Sequence, residues 1–158
     1  MITLAPLPPD RTDLIADIHL PPDQQVFASP PPEVMAMGGP DRDGHMILED
    51  GKVVGFFAID RAYADAHDFA ETGTIGLRMF SVDTRAQGRG IATFACRALA
   101  SYLPEHYPAA AACYLTVNHR NPRAKTVYLK SGFEDTGADY LGGAAGPQYI
   151  MRLTLPRP

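Results

Sequence analysis

The sequence predicts an α/β protein whose sheet is mostly antiparallel and contains one parallel crossover. Three features predict this class: three early β-rich segments with no helical pattern between them, a short apolar segment between two helical patterns, and two β-rich segments after the second helix. Strands joined by short turns pair antiparallel, whereas strands joined through a helix can pair in parallel. The expected order is therefore meander, helix, strand, helix and hairpin.

The first two β-rich segments form a predicted hairpin. Residues 45–50 (HMILED) and 52–60 (KVVGFFAID) flank the turn Asp50-Gly51. Asp-Gly between two such runs is a strong hairpin signal because a two-residue hairpin turn requires positive φ angles. After a stretch of small and acidic residues, residues 74–82 (TIGLRMFSV) are expected to add the third antiparallel strand.

The first helix is predicted by its apolar periodicity, and Pro104 is expected to end it at Leu103. The apolar positions with helical spacing are Ile91, Phe94, Ala95, Ala98, Leu99 and Tyr102. Residues 111–117 (AACYLTV) follow as an unbroken apolar run, typical of a strand that is buried on both faces in a parallel pairing.

The second helix is predicted by its caps. Asn121 is the expected N-cap, Pro122 takes the first helical position and Gly132 stops the helix. Its core face would carry Ala124, Val127 and Tyr128. Residues 133–140 and 148–153 then supply the last two strands, whereas the prolines between residues 21 and 40 favour short helical pieces and loops.

Length and composition predict one domain over residues 1–158, large enough to bury a core without metals or disulfides. The chain has neither a basic and apolar leader nor the run of about 18 apolar residues that a membrane span requires. Cys96 and Cys113 lack the spacing of zinc or redox sites, so they are expected to be core thiols. We therefore expect a cytoplasmic protein with no metal and no membrane partner.

Charge is distributed unevenly along the chain. Residues 1–72 have a net charge of −9 and residues 73–130 a net charge of +6, within a total of −4. This division indicates an anionic ligand in the middle of the chain and a cationic one near its first half, although solvated faces explain it as well. A nucleic-acid partner is not expected, because the pI is about 5.6 and no aromatic residues are interleaved with the arginines.

A candidate phosphate loop lies between the third strand and the first helix. Its residues are Gln87, Gly88, Arg89, Gly90, Ile91 and Ala92. The free N–H groups and dipole of a helix start bind pyrophosphate, and glycines allow close approach to the main chain. Arg85 and Arg89 would add positive charge, and Gln87 a side-chain donor. The Walker and dinucleotide patterns are absent, and a tight strand-to-helix turn would also explain the glycine pair.

Two blocks together resemble the GNAT superfamily of acyl-CoA-dependent N-acyltransferases. They are MFSV with QGRGIA, and later NPRAKTVYLKSGF, within residues 79–133. The resemblance implies a V-shaped splay at the parallel crossover, with about four helices around the sheet. It also implies acetyl-CoA as co-substrate, with direct attack by a primary amine in a ternary complex. A homodimer is compatible with it.

The resemblance assigns roles to particular residues. The Phe80 and Val82 main chain would pair with the pantetheine arm and the thioester carbonyl, and Tyr128 would be the catalytic general acid. The full set of expected acetyl-CoA contacts is Phe80, Ser81, Val82, Gln87, Gly88, Arg89, Gly90, Ile91, Ala92, Asn121 and Ala124. Helix packing alone would also explain Tyr128, and N-capping alone would explain Asn121.

The general base is not identified by the resemblance. Many relatives carry a glutamate on the strand before the loop, and the aligned residue here is Gly76, which cannot accept a proton. His67, Glu71, His119 and Asp139 are candidates by proximity to the expected cleft. A water-mediated proton path is equally compatible.

The acceptor is expected to be a small-molecule amine. Residues 23–30 and a short helix at 33–37 are similar to bacterial polyamine and diamine acetyltransferases, and the acidic first half fits a cationic amine. Peptide N-termini, lysine side chains and aminoglycosides stay open. A different class, an acyl-CoA-binding sensor without turnover, is the alternative to an enzyme.

Overall fold

The computed structural model describes residues 1–19, 39–143 and 146–156. The strands are β1 (Ile2–Pro6), β2 (Arg42–Glu49), β3 (Lys52–Asp60), β4 (Ile75–Val82), β5 (Ala112–Asn118), β6 (Glu134–Tyr140) and β7 (Gln148–Thr154). The α-helices are α1 (Tyr63–Ala66), α2 (Ile91–His106) and α3 (Pro122–Lys130), three in the described ranges against about four expected. Short 3₁₀ turns occupy Thr12–Ile15, Gly39–Asp41 and Thr84–Ala86.

All seven strands belong to one sheet, in the order β1-β2-β3-β4-β5-β7-β6. Every neighbouring pair is antiparallel except β4 and β5, which are parallel. The predicted fold class and the position of its single crossover are confirmed. The predicted polyamine-like segment at residues 23–37 lies outside the described residues.

The β2–β3 hairpin forms at the predicted turn, where Asp50 and Gly51 have φ angles of 50° and 84°. The edge strand β1, which pairs with β2, was not predicted. Its sequence, ITLAP, is short and ends in proline, and proline is tolerated on an edge strand because one side of that strand needs no donor.

The main core lies between the sheet and the helices α2 and α3. Two details of α2 differ from the prediction. The helix continues through Pro104 to His106 and does not end at Leu103. A proline near the end of a helix removes only one backbone hydrogen bond, and the Tyr107 N–H still closes the last turn on Leu103 O at 2.7 Å. The buried stripe also runs through Cys96 and Leu103, which leaves the Phe94 side chain 59% exposed.

Cys96 and Cys113 are both buried in this core without a disulfide, as predicted. Burial raises the pKa of Cys96 to about 11, so the thiol stays protonated near neutral pH. Within the described residues, no helix combines the length and the apolar character that crossing a membrane requires.

Candidate functional site

Strands β4 and β5 separate to form a cleft of about 990 Å³, the upper part of the range for small-molecule sites. Their parallel pairing consists of two positions, Ile75 with Cys113 and Gly76 with Tyr114. From residue 77 onward, the β5 side of β4 has no strand partner among the described residues. This edge presents main-chain N–H and C=O groups with which an extended ligand can pair.

A β-bulge at Met79 shapes the open edge. Met79 has a φ of 56°, and the β3–β4 register shifts between Phe56 and Ala58. The bulge reverses the alternation of side chains, so that both Leu77 and Phe80 pack on the core beneath α2. A non-glycine residue at positive φ stores strain of about 1–3 kcal/mol, and such strain is concentrated at functional sites.

The predicted phosphate turn lies at the same cleft and leads directly into α2. Gly88 and Gly90 have φ angles of 83° and 74°, which glycine adopts without a steric cost. The Phe94 N–H donates to Gly90 O at 3.0 Å, so the N–H groups of residues 91–93 precede the helical hydrogen-bond ladder. The Gln87 side chain donates to Val82 O at 3.1 Å and ties the turn to the end of β4.

The two arginines near this turn are held by carboxylates. Arg85 contacts Asp83 at 2.8 Å and Asp17 at 3.2 Å, and Arg89 contacts Glu49 at 2.9 Å. Neither belongs to the lining of the cleft, which at this end includes Gln87, Gly88, Gly90, Ile91 and Ala92. Arg123 in the first turn of α3 does line the cleft, although no role was predicted for it from the sequence.

Helix α3 places Tyr128 against the opened strand. Its ring meets Phe80 and Phe133 edge to face, with centroid distances of 6.2 and 5.6 Å. The Tyr-x-x-x-Gly-Phe spacing is that of a Schellman cap: Phe133 N–H donates to Tyr128 O at 3.1 Å, and Gly132 has a φ of 99°. Burial raises the pKa of Tyr128, so its phenol is protonated at neutral pH.

The start of α3 is built as predicted. Asn121 Oδ1 accepts the Ala124 N–H at 3.3 Å, with Pro122 in the first turn. Asn121 and Ala124 both line the cleft, as do Phe80, Ser81 and Val82 on the opposite wall. The structure therefore brings every expected acetyl-CoA contact except Arg89 to one cavity.

The far end of the cleft is aromatic and cationic, and most of its residues were not predicted from the sequence. Tyr63, His67, Arg78 and Tyr140 line this end. A Cβ atom at position 76 would overlap the Tyr63 ring, so glycine is required there for packing. No local signal in the sequence indicates this contact, because α1 and β4 meet only in the folded chain.

The candidate bases fall into two groups. His67 lines the cleft, whereas Glu71, His119 and Asp139 do not. Glu71 accepts the Tyr114 hydroxyl at 3.1 Å, and His119 pairs with Asp139 at 2.9 Å. Within the described residues, the cleft is lined by no carboxylate.

Solved structures share this fold across nearly the whole chain. The aminoglycoside acetyltransferase AAC(6')-Ib with ribostamycin and coenzyme A has a TM-score of 0.74 and 19% identity, over 97% of this chain and 93% of that one. The ribosomal-protein-S18-alanine N-acetyltransferase from Escherichia coli has a TM-score of 0.68 and 21% identity, over 100% and 96%. A spermidine N-acetyltransferase SpeG chimera from Vibrio cholerae and hSSAT has a TM-score of 0.68 and 16% identity, over 97% and 94%.

Two sequence matches carry the comparison beyond the fold. Residues 12–133 match the model of the acetyltransferase (GNAT) family. The chain is 31% identical over 157 residues to the uncharacterized N-acetyltransferase YbbJ of Bacillus subtilis (strain 168), covering 98% of both. The fold, the cleft and these matches together define an acyl-CoA-dependent N-acetyltransferase. The chain belongs to the acetyltransferase (GNAT) family.

Proposed function

We propose that this chain transfers the acetyl group of acetyl-CoA to a primary amine by direct attack within a ternary complex. One observation carries the proposal: the open edge of β4, the N-terminus of α2 and the Tyr128 phenol all face one cleft. This arrangement holds an extended thioester at three points and leaves its other side open to an acceptor. With both substrates bound in one cleft, the amine would attack the thioester directly and no acetyl-enzyme intermediate would form.

The turn at residues 87–92 would bind the pyrophosphate of acetyl-CoA. The N–H groups at the start of α2 and the α2 dipole supply the attraction, since Arg85 and Arg89 are paired with carboxylates. Arg123 and the cap residue Asn121 lie across the cleft, where they would contact the phosphate end of the pantetheine arm. The turn would thus attract the pyrophosphate through main-chain dipoles, and Arg123 would add a cationic side chain from the other wall.

The main chain at Phe80 to Val82 would pair with the pantetheine amides and place the thioester at the bulge. An N–H group directed at the thioester carbonyl would stabilise the oxyanion of the tetrahedral intermediate. The departing sulfur would take its proton from Tyr128, whose phenol is protonated and beside Phe80. Ser81 and Ala124 would serve as neighbouring contacts.

The acceptor class to test first is a small amine, a polyamine among them, as the acidic first 72 residues predict. Structural neighbours that acetylate aminoglycosides and spermidine support a small amine acceptor. The described cleft lining, however, contributes Arg42, Arg78 and Arg123 and no carboxylate. An acceptor amine with neutral or anionic neighbouring groups therefore belongs in the same screen.

The screen measures thiol release from acetyl-CoA with polyamines, aminoglycosides, amino acids and peptides. Turnover with one class supports an enzyme and identifies its acceptor. Tight coenzyme A binding without thiol release from any amine would instead support the sensor alternative. Sedimentation of the same preparation tests the predicted homodimer.

The two cysteines are free and buried, which is compatible with the predicted cytoplasmic location.

Tyr128→Phe tests the role of the phenol. We expect kcat to fall roughly 100-fold, the lower part of the range for general acid catalysis, with the Kd of coenzyme A unchanged. Tyr149→Phe is the matched control, since Tyr149 stacks on His119 with centroids 4.0 Å apart and lies outside the cleft lining. Equal turnover in Tyr128→Phe and wild type would remove Tyr128 from the mechanism.

A further inference from the structure

The proposed reaction requires a base, because an alkyl ammonium has a pKa of about 10.4 and must lose a proton before it attacks. The side chains that line the cleft limit which residue can be this base. Its titratable side chains in the described residues are the arginines, three tyrosines and His67. An imidazole is the side chain that changes charge between pH 5 and 8 and is therefore suited to accept this proton.

Hydrogen bonding fixes the tautomer of His67. Its Nδ1 lies 3.1 Å from the Tyr63 carbonyl oxygen, one turn of chain before it. A carbonyl can only accept, so Nδ1 carries the hydrogen and donates it. Nε2 then carries a lone pair, and no other described group forms a hydrogen bond with it. This hydrogen bond to the backbone therefore leaves Nε2 as the nitrogen that can accept a proton.

Ring stacking holds His67 beside the open strand. The His67 and Tyr63 rings stack with centroids 4.1 Å apart, and the Tyr63 ring fills the space above Gly76 on β4. Gly76 is the last β4 residue that pairs with β5, so His67 lies where the cleft begins. The loop after α1 therefore holds His67 one ring away from Gly76, the β4 position that carries no side-chain base.

Aromatic and charged side chains from β4, β6 and the loop after α1 surround His67. Phe69 follows it in the loop at 5.2 Å between centroids, and Tyr140 of β6 contacts it at 5.4 Å. Arg78 of β4 lies over the same Tyr63 ring, 5.0 Å from its centroid, and pairs with Asp60 at 3.0 Å. The exposed Asp65 and Asp68 are its acidic neighbours along the chain.

We propose that His67 is the general base, accepting the proton of the acceptor amine on Nε2. This inference rests on the proposed function. The ammonium N–H bond breaks as an N–H bond forms on Nε2, which later releases that proton to water. The amine lone pair then forms the N–C bond, the C–S bond breaks and sulfur takes the Tyr128 proton. The second amine proton leaves to solvent, from which the phenol is reprotonated.

His67→Asn is the decisive variant, because the Asn side-chain amide can still donate to the Tyr63 carbonyl but has no basic lone pair. We expect kcat/KM at pH 7 to fall roughly 100-fold. In wild type, kcat/KM should level off by about pH 8, whereas in the variant it should keep rising toward about pH 10.4, where half of the amine is already neutral, so the defect should shrink as pH rises. Added imidazole should restore part of the activity at pH 7.

His119→Asn is the control, since His119 also stacks on a tyrosine, at 4.0 Å, but lies outside the cleft lining. Its pH profile should match wild type. Calorimetry with coenzyme A and thermal melts show whether each variant binds and folds. Wild-type turnover with an unchanged His67→Asn profile would overturn His67 alone, whereas thiol release from no amine would overturn the base and the proposed function together.

Discussion

Acidification from pH 7 to pH 4 should destabilise the fold through the buried imidazole of His45. This side chain is 2% exposed and lies on β2 beneath α2. Its ring stacks on Phe57 with centroids 4.9 Å apart, and the His106 ring lies at 6.2 Å. A charge on this ring would be largely removed from water.

Hydrogen bonds orient the His45 ring at both nitrogens. The Tyr107 hydroxyl donates to Asp43 Oδ2 at 2.8 Å, so its oxygen accepts from His45 Nε2, also at 2.8 Å. His45 Nδ1 therefore accepts from the Tyr102 hydroxyl at 2.6 Å. A second proton on the ring would make Nδ1 a donor, so the Tyr102 hydroxyl would have to turn from donor to acceptor and its hydrogen would lose this partner.

Burial lowers the pKa of His45 from 6.5 to about 4, against a smaller opposite influence of Asp43. Between these two values the unfolded chain binds the proton and the folded chain does not, so stability is lost as pH falls through this window. Above pH 6.5 both states are neutral and the contribution is complete. The gap corresponds to about 3 kcal/mol, a large share of the 5–15 kcal/mol typical of a domain.

Urea unfolding of wild type and His45→Gln at pH 7, 6, 5 and 4 measures this contribution. Carboxylates titrate in both proteins, so the informative quantity is the difference between the two unfolding free energies. We expect the advantage of wild type to shrink by about 3 kcal/mol from pH 7 to pH 4. His119→Gln should show no such convergence. Parallel curves for wild type and His45→Gln would refute the assigned cause.

Two further predictions concern glycines. Gly90→Val should weaken coenzyme A binding roughly tenfold or more in calorimetry, because a side chain at positive φ strains the turn. Gly73→Val is the control: Gly73 has a similar φ of 82° but lies outside the cleft lining, so this variant should bind coenzyme A like wild type. Gly76→Ala should lower the unfolding free energy by about 1–3 kcal/mol because its methyl group meets the Tyr63 ring. Equal coenzyme A affinity of Gly90→Val and Gly73→Val would contradict the role of the turn. An unchanged melting curve for Gly76→Ala would contradict the contact with Tyr63.

Local signals account for the parts of the fold that the sequence predicted. Asp50-Gly51, the Asn121 cap and Gly132 each act within a few residues, and all three adopt the expected conformations. The parallel crossover followed from a short apolar run between two helices. β1 was missed because an edge strand buries little and carries no strong alternation.

The site divides in the same way. The turn at residues 87–92 and the Tyr128 helix each lie within one continuous motif, so both could be predicted from local spacing, and the role of Tyr128 was implied by the resemblance to the family. The ion pair of Arg89 with Glu49, and the Tyr63 ring above Gly76, join residues distant in sequence. Such contacts depend on the folded geometry, so composition and periodicity give no sign of them.

A crystal structure with coenzyme A tests the central claim most directly. We expect diphosphate oxygens within hydrogen-bonding distance of the N–H groups at Gly88 to Ala92, the pantetheine arm along β4, and the sulfur beside the Tyr128 hydroxyl. Coenzyme A bound elsewhere, with this turn making no contact to phosphate, would contradict the account.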